Sequence, residues 1–233
     1  MIILAIESSA KPVSVAVCEI TEQPKLLGQH FQNNGFSHSR TLLSITETLL
    51  DNLEMSLSDI DLISVASGPG SFTGVRIGVS AAKGLAWGLD IKVCGVSTLE
   101  AMAHQTQIAN TIICPVMDAR REQVYNALFK WQDGKLIRLC EDRAISLNDL
   151  SKELQARTST PIMLVGDGIA VSNDFLSSKG VVCTLPSDLM HYQTAYGVAL
   201  ASVNSKHITS SELEPFYLRP SQAERELSQS SSI

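Results

Sequence analysis

The amino-acid sequence predicts an α/β protein of two lobes, each a mixed sheet with crossover helices. Three observations lead there. The chain has 233 residues, enough for one large domain or two lobes of roughly 100 residues each. It is 44% hydrophobic but only 5% aromatic, so its apolar residues are mostly aliphatic, which suits stacked layers of strand and helix. Finally, one order of elements (three strands, a helix, a strand, a helix) runs twice along the chain.

Residues 2–7 open the chain as an apolar strand, and 12–19 pair with it across the polar turn Ser8-Ser9-Ala10-Lys11. A third strand is expected at 25–32, ahead of Asn33-Asn34-Gly35. A helix begins after Ser37, because Leu42, Ile45, Leu49 and Leu53 repeat at the helical period, with Leu43 and Leu50 beside them. A strand at 62–66, a glycine-rich loop, a helix at 72–88, a strand at 92–96 and a helix at 99–107 complete the first half. The second half has strands at 111–117, 123–131 and 136–141, with Asp133-Gly134 turning between the last two. A helix at 147–155, a strand at 162–165, the loop Gly166-Asp167-Gly168, a strand at 181–184 and a helix at 194–203 follow. The expected domains are 1–108, carrying the partner-binding helices, and 109–220. Residues 221–233 read as a disordered polar tail.

Eighteen Lys and Arg stand against 24 Asp and Glu, a net charge of −6. Neither lobe has the basic excess that holds a polyanion by counterion release, so the chain is not expected to grip nucleic acid unaided. The start lacks a basic n-region and its apolar run ends at Glu7, which reads as a strand and not as a secretion signal. No run of 18 apolar residues offers a membrane span. Cys18, Cys94, Cys114, Cys140 and Cys183 each follow an aliphatic residue and form no C-x-x-C, so buried reduced thiols are expected. These features describe a cytoplasmic protein.

The most distinctive segment is Ser67-Gly68-Pro69-Gly70-Ser71-Phe72-Thr73-Gly74-Val75-Arg76. It leaves a strand and opens a helix, where backbone N–H groups and the helix dipole can hold an anion. It is neither a Walker A loop nor G-x-G-x-x-G, and Ser71 lacks the flanking glycines of a nucleophile elbow. An anion cradle and a tight structural turn both fit. Glu7-Ser8-Ser9 resembles a phosphate-facing turn in which Glu7 holds Mg²⁺ through water, or simply ends the strand. The candidate nucleotide or anion set is therefore Glu7, Ser8, Ser9, Gly68, Gly70 and Ser71.

The helix behind the loop carries two small rows at four-residue intervals: Gly74, Gly78 and Ala82, and Ser80, Gly84 and Gly88. Glycine within a helix costs about 1 kcal/mol against alanine, so these positions need a compensating gain. One row suits packing on the protein's own sheet and the other suits a second helix, from 38–53 or from a partner chain. The expected partner contacts are Leu42, Ile45, Leu49, Val75, Gly78, Val79 and Ala82, with His38 and Arg76 at the polar edge. No two of the five histidines are spaced three or four apart, so no metal motif and no Ser-His-Asp set is evident. Asp118-Ala119-Arg120-Arg121-Glu122 reads equally as a cleft-facing charge group and as a solvated hairpin corner.

Ile3-Leu4-Ala5-Ile6-Glu7-Ser8-Ser9, His38-Ser39-Arg40-Thr41-Leu42-Leu43, the 67–78 segment and Asp118-Ala119-Arg120-Arg121-Glu122-Gln123-Val124-Tyr125 together resemble the TsaB (YeaZ) family. That family belongs to bacterial tRNA threonylcarbamoyladenosine biosynthesis and is related to the TsaD/glycoprotease family. The likeness runs from residue 1 to about Pro220 and includes Pro215-Phe216-Tyr217-Leu218-Arg219. It implies a two-lobed actin/Hsp70/sugar-kinase (ASKHA) fold. It also implies service in placing threonylcarbamoyl on N6 of the adenosine 3′ of the anticodon in tRNAs reading ANN codons. There TsaD transfers the group from threonylcarbamoyl-adenylate, TsaE is a small associated ATPase, and TsaB-type chains support TsaD without catalysis.

The resemblance thus implies binding to TsaD and TsaE, self-association as a homodimer in isolation, and only indirect contact with tRNA. It implies no cofactor for this chain, leaving ATP and Mg²⁺ to the complex. Where TsaD has a metal-binding His-x-x-x-His, this chain has Thr98 and Met102, which cannot replace imidazole. The competing expectation is an ATP-binding or ATP-hydrolysing enzyme of the sugar-kinase class, using Glu7, Ser8, Ser9 and the 68–71 loop.

Overall fold

The structure is a computed structural model and describes residues 1–35, 37–157, 159–187 and 191–219. The expected tail, 221–233, lies outside the described residues. The first sheet has the order β3-β2-β1-β4-β5, built from β1 (Ile2–Glu7), β2 (Val13–Glu19), β3 (Lys25–Gln32), β4 (Leu62–Gly68) and β5 (Lys92–Ser97). The first three strands pair antiparallel, whereas β4 and β5 continue the sheet in parallel. β1 and β4 are buried on both faces, which is why each reads as a near-continuous apolar run.

Alternation along β1 assigns the faces. Leu4 and Ile6 point to α1 (His38–Asn52) and α2 (Phe72–Leu89), among Leu42, Ile45, Leu49, Val75 and Val79. Ile3 and Ala5 point to the other face, which packs against Ala101 of α3 (Thr98–His104) and against α6 (Ala195–Ser202). The expected place of the 194–203 helix in the second lobe does not match this packing. Seven of the eight α6 residues are buried, and the cover they find is the back of the first sheet and α3, where a Cβ on Gly197 would meet the Ala101 backbone. Ile208 then bridges to Val93, so the chain returns to the first lobe after building the second.

The second sheet contains β6 (Ile112–Asp118), β7 (Gln123–Asn126), β8 (Phe129–Gln132), β9 (Lys135–Arg138), β10 (Arg143–Ser146) and β11 (Ile162–Val165). The single strand expected at 123–131 is interrupted at Ala127-Leu128, yet both pieces pair with β6 in one register, Val116 with Asn126 and Ile112 with Lys130. Of the strand expected at 136–141 only β9 forms, beside β8; β10, which was not expected, continues beside β7 with its register shifted by two residues. β11 lies parallel to β6, and α4 (Leu147–Gln155) and α5 (Ile169–Ser178) cover the sheet through Leu150, Leu154 and Leu176. α5 was not expected from the sequence, although it is the counterpart of α2. The expected strand at 181–184 contributes only the bridge between Met163 and Thr184.

α3 sits between the two sheets. Leu99, Met102 and Ala103 face Ile113, Met117, Phe129 and Val165 of the second sheet, forming an apolar core shared by both lobes. Cys18, Cys94 and Cys114 are buried as expected, while Cys140 and Cys183 are half-buried. Among the described residues, no helix is long and apolar enough to cross a membrane.

Candidate functional site

The residues predicted to form an anion cradle do come together, but they bond mainly to one another. β1 ends at Glu7, buried behind the Ser9-Ala10-Lys11 edge of the interlobe cleft, and its Oε1 accepts the Ser9 N–H at 2.6 Å. The Ser9 carbonyl accepts the Ser71 N–H at 2.6 Å. Ser8 Oγ donates to the Gly74 carbonyl at 2.9 Å, and Ser71 Oγ caps α2 by accepting the Gly74 N–H at 3.3 Å. A Cβ on Gly70 would strike the Ser9 backbone, and one on Gly74 the Ser8 carbonyl. These glycines therefore permit the 8–10 turn to nest in the loop, where Ser8 Oγ and the Ser9 and Ser71 N–H groups are already engaged, whereas Ser9 Oγ has no partner among the described residues.

The electrostatics of this corner are acidic. Glu7 is 1% exposed, and burial pushes its carboxyl up to about 7, against the opposing donations from Ser9; the charge of Asp167 pushes it further. Its Oε2 has no hydrogen-bond partner among the described residues. Asp167, in the loop after β11, is itself raised by burial, despite the bond it accepts from Gln193, with Asp118 adding repulsion. Asp118 and Asp167 line a cleft of about 750 Å³ between the lobes, together with Lys11, His38, Ser71, Arg120 and Arg219. Asp118 and Asp167 are exposed to the cleft, where Lys11, Arg120 and Arg219 stand against them, while Glu7 lies buried behind the lining. Thr98 and Met102 are fully buried, Met102 within the shared core.

The expected partner contacts need correction. Leu42, Ile45, Leu49, Val75, Val79 and Ala82 are each at most 6% exposed, and Gly78 is buried against Ser8 Oγ and Val65. The helical period that singled them out marks the side facing the protein's own sheet. His38 is half-buried, with Nε2 2.7 Å from the Ala10 carbonyl. Arg76 is exposed, its guanidinium 3.9 Å from the Phe72 ring centre and its Nε donating to Tyr217 Oη at 2.9 Å.

The other small row of α2 is the one left open. Arg76, Ser80, Gly84 and Gly88 share one row and are all exposed, and a Cβ added at Gly84 or Gly88 would meet nothing within 4 Å. Next to Gly88, Trp87 is 81% exposed; on α1, Leu43 is 56% exposed. The Ser80/Gly84/Gly88 spacing was visible in the sequence. Trp87, Leu43 and the Phe216-Tyr217-Arg219 segment at the cleft were not assigned, because nothing local distinguishes them.

Two sheets, in each of which the first strand pairs antiparallel with the next and parallel with the strand after the first helix, with helices on their outer faces and a cleft between them, define a two-lobed protein of the actin/Hsp70/sugar-kinase class. The family model of TsaD, tRNA N6-adenosine threonylcarbamoyltransferase, matches residues 32–224. The tRNA threonylcarbamoyladenosine biosynthesis protein TsaB of Bacillus subtilis is 32% identical over 228 residues, 96% of both chains. That of Escherichia coli is 32% identical over 184 residues, 78% of both. The chain belongs to the TsaB (YeaZ) family. Two solved Pseudomonas aeruginosa structures share its fold: YeaZ, at a TM-score of 0.73 and 22% identity, and an uncharacterized protein with similarity to peptidase YeaZ, at 0.77 and 24%. They cover 93% and 94% of this chain and are themselves covered to 99%.

Proposed function

We propose that this chain acts in tRNA threonylcarbamoyladenosine biosynthesis as a non-catalytic, cytoplasmic subunit that docks TsaD through the outer face of α1 and α2. The observation that carries this reading is the open row on α2. Gly84 and Gly88 cost helix stability and have no neighbour among the described residues that needs their smallness, whereas a partner helix crossing there would. Exposed Trp87 supplies apolar area beside the row, and α1 adds the exposed side chain of Leu43. In isolation the same face serves a second copy of the chain. TsaE joins at the level of the complex, and tRNA is reached through TsaD, in keeping with the acid excess.

The competing enzyme reading, ATP binding or hydrolysis in the interlobe cleft, is disfavoured by the engagement of Ser8 Oγ and of the Ser9 and Ser71 N–H groups within the 8–10 and 68–74 turns. The test is reconstitution of tRNA modification from purified components with and without this chain, alongside size-exclusion of its mixture with TsaD. Gly84→Leu is expected to abolish co-elution and the stimulation of modification. Turnover of Mg-ATP by the isolated chain would establish the enzyme instead.

A further inference from the structure

The segment after α6 runs back along α2 and ends at the interlobe cleft. Its first part is fixed to the first lobe. Ile208 exchanges N–H···O bonds with Val93 at 2.8 and 3.0 Å, Leu213 is 1% exposed, and Lys83 Nζ donates to the Leu213 carbonyl at 2.9 Å. Beyond Leu213 the attachments change character. The Phe216 N–H donates to the Ser67 carbonyl at 2.7 Å, at a point where Gly68, at φ +129°, leaves no room for a side chain. The Tyr217 ring stacks on Phe72 with centres 4.6 Å apart, and its hydroxyl accepts from Arg76. Arg219 Nη1 crosses to the second lobe, donating to the Ala119 carbonyl at 2.8 Å.

Two further facts give this segment a role. Phe216, Tyr217 and Arg219 line the cleft, yet Phe216 is 46% and Tyr217 36% exposed, so no core holds them. Arg219 lands on an unusual turn, in which Arg120, Arg121 and Glu122 all have φ between 54° and 63°. Three successive non-glycine residues in the left-handed region are sparsely populated and need their surroundings to hold them.

We propose that residues 214–219 form a detachable wall of the interlobe cleft, clasped by Arg76, and that docking on the outer face of α2 releases it. The coupling rests on the docking reading above. Arg76 is the N-terminal member of the open Arg76/Ser80/Gly84/Gly88 row, so a helix seated on that row covers it. A carboxylate from such a partner competes for the guanidinium more strongly than the neutral Tyr217 hydroxyl. The stack on Phe72 then loses the cation that bridges it, and the wall swings from Leu213.

Hydrogen exchange of the full chain, at a dilution where size-exclusion shows it monomeric so that no second copy covers α2, tests both parts. In the isolated protein, Tyr217→Phe keeps the stack and removes the Arg76 acceptor, and Arg219→Ala removes the link to the second lobe. Each is expected to speed exchange of the Phe216 amide about three- to tenfold and to leave the Ile208 amide unchanged. A Phe216 amide as slow as that of Ile208 in the parent and both variants would overturn the wall. In the second arm, added TsaD is expected to speed Phe216 exchange in the parent chain and not in Gly84→Leu. A complex seen by size-exclusion without that change would overturn the coupling and leave the docking reading standing. No complex at all would remove the docking reading and the coupling together, with the wall still judged by the isolated variants.

Discussion

Glu7 shows how a residue can keep the position of a phosphate-facing group while its chemistry changes. Its carboxyl sits near 7 in the fold, against an ordinary value of 4.5, chiefly because burial disfavours the anion. The folded state therefore binds a proton more tightly than the unfolded one. Stability from this group is fully present below about 4.5 and is lost as pH rises through about 7. A raised value of this size corresponds to roughly 3 kcal/mol. Glu7→Gln is expected to flatten the stability curve between those limits and to be more stable than the parent at pH 8, measured by urea unfolding, with any remaining slope owed to other shifted groups, Asp167 and His104 among them. An unchanged slope would mean that Glu7 stays ionised in the fold. The sequence placed Glu7 at the end of a strand before two hydroxyls. It could not show that the Ser9 amide turns back onto its own carboxylate, since that depends on the 68–74 loop filling the space in front.

At the scale of the element, α2 joins fold and function through two small rows of different fate. A leucine at Gly78 must displace Ser8 and Val65, so Gly78→Leu is expected to lower stability by about 1–3 kcal/mol as overpacking does. A leucine at Gly84 enters open space and replaces a poor helix former, so Gly84→Leu should be neutral or stabilising by up to about 1 kcal/mol. Thermal unfolding of the two variants side by side checks this contrast. Equal losses would mean that the outer row is packed within the monomer. Both rows were legible from spacing alone, as was the apolar stripe of α1. Which row faces the sheet was not, and the expected contacts fell on the buried side because helical periodicity reports the core-facing stripe most strongly. Where the sequence did miss an element, at α5, the Ile169/Leu176 pair sat behind Gly166-Asp167-Gly168 without a side-chain cap to announce it.

At the scale of the molecule, the lobes are not independent. α3 gives Ala101 to the first sheet's core and Leu99 and Met102 to the second's, while Glu100 pairs with Arg138 at 2.6 Å and the Ala103 carbonyl accepts from Trp131 Nε1 at 3.3 Å. Leu99→Ala is accordingly expected to cost about 2–5 kcal/mol and to shift one cooperative transition as a whole. Calorimetry showing two transitions, with only one displaced, would contradict the shared core. The covering of the first sheet by α6 points the same way, since that lobe is completed only after the second has been made.

The sequence by itself determined most of the element types, the three strands and helix that open each lobe, the acidic balance and the family signature, because strand and helix periods and turn chemistry act over a few residues. Tertiary structure decided which small row of α2 is left open, that α6 belongs to the first lobe, that the phosphate-like turn is engaged by its own loop, and that 214–219 walls the cleft. Those outcomes depend on which surfaces meet after the chain has crossed between lobes and returned, and burial between distant segments has no period along the chain from which it can be read.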